Sequence, residues 1–237
     1  MKPLQIFLLI LIIYILLQAA YSAYYFHKSR ALVKNSHVGS FEVGNKGPTY
    51  LFFAAGDSVG AGIGASTFET SLVGRLSAEL AKDHKVEVNN KSVSGYRMLN
   101  LVDGPLPSKK QDLILLVISS NDVFNFTNLD RFKDQTHKVF DKYSKLADKV
   151  VVIGPGRIFD TDALPLFMRL IYKQTGKKYA SVMAEEASKY PNIIYVNPYE
   201  ASEIGKEYGD TGAADKFHPN DEGYRFWFDL VMNKFNK

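Results

Sequence analysis

The chain contains Tyr50-Leu-Phe-Phe-Ala-Ala-Gly56-Asp57-Ser58-Val59-Gly60-Ala-Gly62, an apolar run of strand length followed by a polar, glycine-rich turn. The residues after Gly56 cannot continue a buried strand, so Ser58 is predicted to lie just beyond a strand end. In open α/β sheets the carboxyl ends of the strands face the ligand crevice. The Ser58 hydroxyl is therefore expected in a position that suits chemistry.

A serine hydroxyl reacts poorly unless a base and oxyanion donors accompany it, and the chain contains candidates for both. Asp215 precedes His218 by three residues, a spacing that lets a carboxylate reach one imidazole nitrogen. Gly95 follows a second strand-like segment, and Asn121 follows a third. Three successive strand ends thus carry Ser58, Gly95 and Asn121.

Four short blocks resemble, in order and spacing, those of the GDSL/SGNH hydrolase superfamily, which contains esterases, thioesterases, lipases and carbohydrate acetylesterases. The blocks are Gly56-Asp57-Ser58, Gly95, Asn121-Asp122, and Asp215 with His218-Pro219. The resemblance covers about residues 48 to 237. Each block alone is a weak signal, and four in the family's order are a strong one.

The resemblance implies a role for each block. Ser58 is the expected nucleophile, His218 the general base, and Asp215 the carboxylate that holds the imidazole in its reactive tautomer. The backbone N–H groups of Ser58 and Gly95 and the side-chain amide of Asn121 are the expected oxyanion donors. No metal and no organic cofactor is expected.

Two residues depart from the family pattern. Val59 replaces the leucine that gives the GDSL motif its name, an exchange of apolar residues that affects packing. Ser119 stands where the third block usually has glycine, and it is expected either to narrow the pocket or to reposition Asn121.

Strands alternate with amphipathic helices after residue 49, which predicts right-handed crossovers and a parallel sheet between helices. The predicted strands are 50–56, 86–89, 112–118, 149–153 and 192–196, and the predicted helices are 71–81, 129–147, 177–190 and 221–235. The expected fold class is α/β, a three-layer α/β/α sandwich with a mainly parallel five-stranded sheet, flavodoxin-like and of the SGNH-hydrolase type. Residues 156–174, whose apolar side chains include Phe159, fit either a lid over the site or an ordinary core helix.

Residues 1–27 are predicted to be a transmembrane signal anchor or a signal peptide, because the chain is almost entirely apolar from Leu4 to Phe26. The anchor is favoured, since this run exceeds the ~7–15 residues of a usual signal core, although Ala20-Tyr21-Ser22 fits a cleavage site. Residues 28–48 are predicted to be a linker and 49–237 the hydrolase domain. We expect a membrane-anchored protein with an extracytoplasmic catalytic domain, or a secreted one after cleavage, although flanking charges slightly favour a cytoplasmic domain.

The composition excludes several kinds of site. The net charge is only +4, without a basic patch interleaved with aromatic residues, so nucleic acid is not an expected partner. The chain has no cysteine, which rules out disulfides, thiol catalysis and thiolate metal ligands. Gly60-Ala-Gly62-Ile-Gly64-Ala65 resembles a dinucleotide-binding turn, but the second strand leads into Asn89-Asn90-Lys91 and not into the acidic residue that would bind a ribose.

The predicted function is cleavage of carboxylic esters by a serine esterase or lipase, through an acyl-enzyme on Ser58. The expected substrates are small-molecule esters, lipids or acylated glycans. One alternative is an O-acyltransferase or deacetylase that acts on envelope glycans. A second is a catalytically silent binding domain, which only Ser119 favours.

Overall fold

A computed structural model describes residues 2–157, 160–200 and 208–235 of the chain. The strands are β1 (Gly39–Val43), β2 (Thr49–Gly56), β3 (Lys85–Asn90), β4 (Gln111–Val117), β5 (Ala147–Ile153) and β6 (Ile193–Val196). The helices are α1 (Pro3–Leu32), α2 (Leu72–Leu80), α3 (Met98–Val102), α4 (Ser120–Phe124), α5 (Leu129–Ser144), α6 (Leu166–Ala187) and α7 (Asp221–Phe235).

The strands form one sheet in the order β1-β3-β2-β4-β5-β6. All neighbours pair in parallel except β1, which pairs antiparallel with β3 at the edge. The chain passes from β2 to β3 on one side and then to β4 on the other, so the direction of winding reverses at β2. A crevice opens at such a reversal beyond the carboxyl ends of the strands, which is where β2 delivers Ser58.

Helices cover both faces of the sheet because successive residues of a buried strand point to opposite sides. On one face, Phe52 and Ala54 of β2 pack with apolar residues of α2 and α7. On the other face, Phe53 and Ala55 pack with apolar residues of α3, α5 and α6. The predicted α/β/α layering is therefore confirmed.

The sheet has six strands and not the predicted five, because part of the segment 28–48, predicted to be a linker, forms β1. This strand pairs with β3 along its length. The Phe41 ring also stacks on the Phe68 ring, with 4.0 Å between centroids. An edge strand of this kind depends on pairing with its neighbour. The sequence did not predict β1 because the segment is short and has glycines on either side.

α6 begins at Leu166, directly after Pro165 and well before the predicted start at residue 177. Residues 166–175 contain no glycine or proline, and Gly176 is accommodated inside the helix. Tyr172 of this helix is buried, whereas Leu166 and Leu170 are exposed. The stretch 156–174 is thus partly a core helix and partly an exposed apolar surface. Its residues 158 and 159, Phe159 among them, lie outside the described residues.

α1 is a 30-residue helix without a buried residue, long and apolar enough to cross a membrane. It continues to Leu32, into the predicted linker. Its C-terminal half contacts the α/β domain. The Ser22 hydroxyl donates to the Ala163 carbonyl at 2.9 Å, and the Phe26 ring centroid lies 5.0 Å from that of Phe217.

Candidate active site

The Ser58 loop begins where β2 ends. The Asp57 N–H donates to the Val117 carbonyl of β4 at 2.8 Å, which fixes the chain at the last paired position of the sheet. Ser58 follows and is partly exposed, whereas both of its neighbours are buried. Ser58 is therefore partly exposed on a loop whose flanking residues are held in the core.

The Asp57 carboxyl braces this loop. Its Oδ1 accepts a hydrogen bond from the Val59 N–H at 3.0 Å. Its Oδ2 is buried and has no hydrogen-bond partner among the described residues. Burial raises the pKa of Asp57 to about 7, in spite of the opposing effects of the Val59 N–H and the His218 charge. A carboxyl that is partly protonated near neutrality thus lies next to Ser58.

Asp215 and His218 form the second part of the site. His218 Nδ1 lies 2.6 Å from Asp215 Oδ2, and Asp215 Oδ1 accepts hydrogen bonds from the Phe217 and His218 N–H groups at 3.0 and 3.1 Å. The Asp215 side chain is fully buried and that of His218 is 11% exposed. Burial acts to raise the pKa of Asp215, but the hydrogen bond and charge of His218 outweigh it, so the pKa lies below its ordinary value. The carboxylate is therefore ionised and fixes one imidazole nitrogen.

The turn that carries His218 is closed by the backbone. The Ala213 N–H donates to the His218 carbonyl at 2.8 Å, and Lys216 adopts a left-handed conformation with φ of 59°. Asn220 then caps α7 through a 2.9 Å hydrogen bond from the Gly223 N–H. Sequence reasoning missed Asn220, although an asparagine directly before a predicted helix is a capping signal.

The Ser58 loop and the His218 turn pack against each other. A Cβ placed on Gly64 would lie 2.3 Å from the Pro219 carbonyl oxygen and 3.3 Å from the His218 Cβ, so only glycine permits this approach. Tyr224 of α7 adds a second link, because its hydroxyl lies 2.8 Å from the Ile63 carbonyl oxygen. Sequence reasoning missed Tyr224. The only signal for it is a tyrosine on the core face of the last helix, whose hydroxyl needs a partner when buried.

Gly95 and Asn121 lie in neighbouring loops. The Asn121 side-chain amide donates to the Tyr96 carbonyl at 3.0 Å, which joins the second and third blocks. Gly95 has φ of 85°, a conformation that favours glycine, and its Cα has open space where a side chain would begin. The Ser58 loop also packs against the segment that precedes Gly95. A Cβ placed on Gly60 would lie only 2.6 Å from the hydroxyl oxygen of Ser92.

Asp122 braces the third block, Asn121-Asp122. Its Oδ2 accepts from the Met98 N–H at 2.8 Å, and its Oδ1 accepts from the Thr127 hydroxyl at 2.9 Å. Burial raises the pKa of Asp122, and both hydrogen bonds oppose the rise. Unlike Asp57, this carboxylate has a donor for each oxygen.

Ser119 adopts φ of 94°, a left-handed conformation that explains why glycine suits this position. The residue is fully buried, and its hydroxyl donates to Met183 Sδ of α6 at 3.2 Å. The side chain therefore packs in the core between β4 and α6.

The structure places the predicted residues on four segments that follow β2, β3 and β4 and precede α7. Ser58 and His218 lie on loops in contact, and Asn121 bonds to the residue that follows Gly95. Within residues 2–157, 160–200 and 208–235, no hydrogen bond joins the Ser58 hydroxyl to His218, a contact that often tightens only when substrate binds. The same residues contain no cluster of side chains able to hold a metal ion.

Comparisons with known proteins identify the family and the fold of the chain. A sequence model of the GDSL-like lipase/acylhydrolase family matches residues 54–226. This span contains the Ser58 loop, the loops of Gly95 and Asn121, and the Asp215–His218 turn. No curated protein matches the chain.

Several solved structures share the fold. A mutant of Axe2, an acetyl-xylooligosaccharide esterase from Geobacillus stearothermophilus, is 17% identical with a TM-score of 0.64, over 81% of this chain and 96% of that one. LAE5, an alpha/beta hydrolase enzyme from the metagenome of Lake Arreo, Spain, is 14% identical with a TM-score of 0.62, over 79% and 95%. A member of the lipolytic protein G-D-S-L family from Veillonella parvula is 18% identical with a TM-score of 0.59, over 79% and 99%. At these identities the likeness establishes the fold.

Proposed function

The chain belongs to the GDSL-like lipase/acylhydrolase family, and we propose that it is a serine esterase that cleaves carboxylic esters through an acyl-enzyme on Ser58. The observation that carries the proposal is the 2.6 Å hydrogen bond between Asp215 and His218, in a turn that packs against the Ser58 loop. A carboxylate, an imidazole and a serine hydroxyl in this order are the parts that activate a serine for acyl transfer.

The proposed reaction has two halves. Ser58 Oγ attacks the ester carbonyl carbon while His218 Nε2 takes the hydroxyl proton. The tetrahedral intermediate expels the alcohol, which receives that proton from His218, and an acyl group remains on Ser58. Water then attacks the acyl carbonyl carbon while His218 takes a proton from it. The bond to Ser58 Oγ breaks, His218 returns the proton to Ser58, and the carboxylic acid leaves. Asp215 stays ionised throughout and stabilises the imidazolium that forms in each half.

The oxyanion donors of the proposal are the N–H groups of Ser58 and Gly95 and the side-chain amide of Asn121. That amide has two hydrogens, and the bond to the Tyr96 carbonyl uses one of them. The other is available to the developing oxyanion. A preorganised donor of this kind contributes roughly 3 kcal/mol to transition-state stabilisation.

We propose small-molecule esters, lipids or acylated glycans as the substrate class. The similar structures include one named as an acetyl-xylooligosaccharide esterase, which supports acetyl esters as the first substrates to test. We further propose that α1 remains as a membrane anchor with the catalytic domain on the extracytoplasmic side. The contacts of Ser22 and Phe26 with the α/β domain support retention of the helix, because cleavage near Ser22 would remove or loosen them.

The test uses the full chain in mild detergent, with nitrophenyl esters from acetate to long acyl chains and a fluorophosphonate probe that labels activated serines. The Ser58→Ala variant is expected to lose at least about 10³-fold in turnover and all labelling. Ser40→Ala, at an exposed serine of β1, serves as the matched control and should retain both. Equal activity and labelling in wild type and Ser58→Ala would refute the proposed nucleophile. Labelling without ester hydrolysis would direct the search to a glycan acceptor and to acyl transfer.

A further inference from the structure

The first two turns of α6 expose a stripe of large apolar side chains that the core does not cover. Leu166, Phe167, Leu170 and Ile171 are 67%, 56%, 62% and 45% exposed. Their positions, i, i+1, i+4 and i+5, place them on one face of the helix. Tyr172, on the opposite face, is buried. A contiguous apolar face of this size on a folded domain indicates a contact with another apolar phase.

The same helix face changes from apolar to cationic after these two turns. Lys173, Lys177 and Lys178 are exposed and continue the stripe along the helix axis. Two turns of helix are about 11 Å long. An apolar segment of that depth followed by lysines matches the change from acyl chains to anionic headgroups at a membrane surface.

α1 lies beside the first residue of this stripe, because Leu166 and residues of α1 line the same cleft. On the α1 side this cleft is lined by Tyr14, Leu17, Gln18 and Tyr21. The two charged residues of the cleft, Asp162 and Arg169, form an ion pair with each other. The N-terminal part of α6 therefore adjoins the helix that is long and apolar enough to cross a membrane.

We propose that α1 and the first two turns of α6 form one membrane-contacting surface, whose partner is the anionic bilayer into which α1 inserts. A span of about 20 residues that begins at Leu4 ends near residue 23. Leu17 lies six residues inside that end, or about 9 Å at 1.5 Å per residue. The α6 stripe, which meets α1 at this level, would enter the bilayer by the ~5–10 Å typical of interfacial helices.

This surface places the mouth of the site at the bilayer. The Phe26 ring lies just beyond the end of the span, 5.0 Å from the ring of Phe217, which directly precedes His218. Phe26 also lies 5.7 Å from the ring of Phe124, three residues after Asn121. We infer that the substrate is an ester held in the bilayer and that it enters beside α1. The inference about the substrate rests on the proposed esterase function, whereas the membrane-contacting surface of α1 and α6 does not depend on it.

The surface is tested by fluorophores attached to single cysteines, which the absence of native cysteine permits. Phe167→Cys and Leu170→Cys, each carrying an environment-sensitive fluorophore, are placed in full-length protein reconstituted into phosphatidylglycerol–phosphatidylcholine vesicles with nitroxide-labelled lipid. Ile10→Cys reports insertion of α1, and Asp134→Cys on the exposed face of α5 is the aqueous control. We expect blue-shifted emission and at least two-fold quenching at 167 and 170, with neither at 134. Water-like emission at 167 and 170 while the label at position 10 is quenched would overturn the proposal.

Substrate entry from the bilayer is tested by the double variant Phe167→Asp/Leu170→Asp in the same vesicles. The measured quantity is the ratio of turnover of a vesicle-embedded nitrophenyl ester of a long acyl chain to turnover of water-soluble nitrophenyl acetate. We expect this ratio to fall at least ten-fold relative to wild type, and an unchanged ratio would overturn entry from the bilayer. Inactivity of the wild type on both esters would count against the esterase proposal. The membrane-contacting surface would then be tested by the fluorophores at positions 167 and 170 alone.

Discussion

Replacement of Asp57 by asparagine is expected to stabilise the protein more at pH 8.5 than at pH 5. The Asp57 side chain is 1% exposed, and burial raises its pKa to about 7. Its Oδ1 accepts from the Val59 N–H, and its Oδ2 has no hydrogen-bond partner among the described residues. Asparagine keeps the acceptor and cannot ionise, so it imitates the protonated carboxyl.

The sign and size of the effect follow from the two pKa values. The pKa of Asp57 is about 7 in the folded protein and about 3.9 in the unfolded chain, so the folded protein binds the proton more tightly. The stability that this proton contributes is lost as the pH rises from about 3.9 to about 7. One pKa unit corresponds to about 1.4 kcal/mol. Between pH 5 and pH 8.5 the wild type therefore loses about 2–3 kcal/mol that the Asp57→Asn variant keeps.

The measurement is urea unfolding of the full chain in mild detergent at both pH values. Unfolding can be followed by the fluorescence of Trp227, the single tryptophan of the chain, which is buried on the core face of α7. Asp103→Asn, at an exposed carboxylate, is the control, and its stability relative to wild type should be the same at both pH values. The reasoning is refuted if the stability gain of Asp57→Asn does not increase between pH 5 and pH 8.5.

Three further substitutions test the site. Ser119→Gly is expected to stabilise the protein by up to about 1 kcal/mol. Serine in the left-handed conformation costs roughly 1–2 kcal/mol, and glycine removes this strain. The greater backbone freedom of glycine in the unfolded chain offsets ~0.5–1 kcal/mol of the gain. A loss of more than about 1 kcal/mol in urea unfolding would contradict this. Asp215→Asn is expected to lower kcat by about 10³-fold or more, since His218 loses the partner that orients it. Wild-type kcat in this variant would show that another group orients the imidazole. Tyr224→Phe is expected to cost about 1–3 kcal/mol of stability, because the buried Ile63 carbonyl loses its donor, and to lower kcat through the Ser58 loop. Unchanged unfolding and kcat would show that this hydrogen bond does not support the loop.

The strands β2 to β6 and the helices α2, α5 and α7 could be predicted from the sequence because their signals are local. β2 is a continuous apolar run, and its end at Gly56 is marked by the residues that follow. Asp215 and His218 lie three residues apart, so their contact depends only on the turn between them. The roles of these residues in catalysis remain a proposal that rests on the family and on the geometry.

Other features depend on neighbours that are distant in sequence and could not be predicted from a local pattern. β1 is a strand because β3 pairs with it, and its own five residues carry little signal. The raised pKa of Asp57 comes from the surrounding core, and the link from Tyr224 to the Ser58 loop spans 161 residues. The exposed stripe at the start of α6 resembles a core helix in sequence, because apolar residues at helical spacing do not indicate what they contact.

The sequence by itself determined the α/β fold class, the position of Ser58 at a strand end, and the presence of a long apolar N-terminal segment, because periodicity and turn residues are encoded within a few positions. Only the tertiary structure decided that the His218 turn packs on the Ser58 loop, that Ser119 adopts a left-handed conformation, and that α1 contacts the domain beside the site. These features arise from packing between elements far apart in the chain, and such packing depends on the shape of the whole folded core.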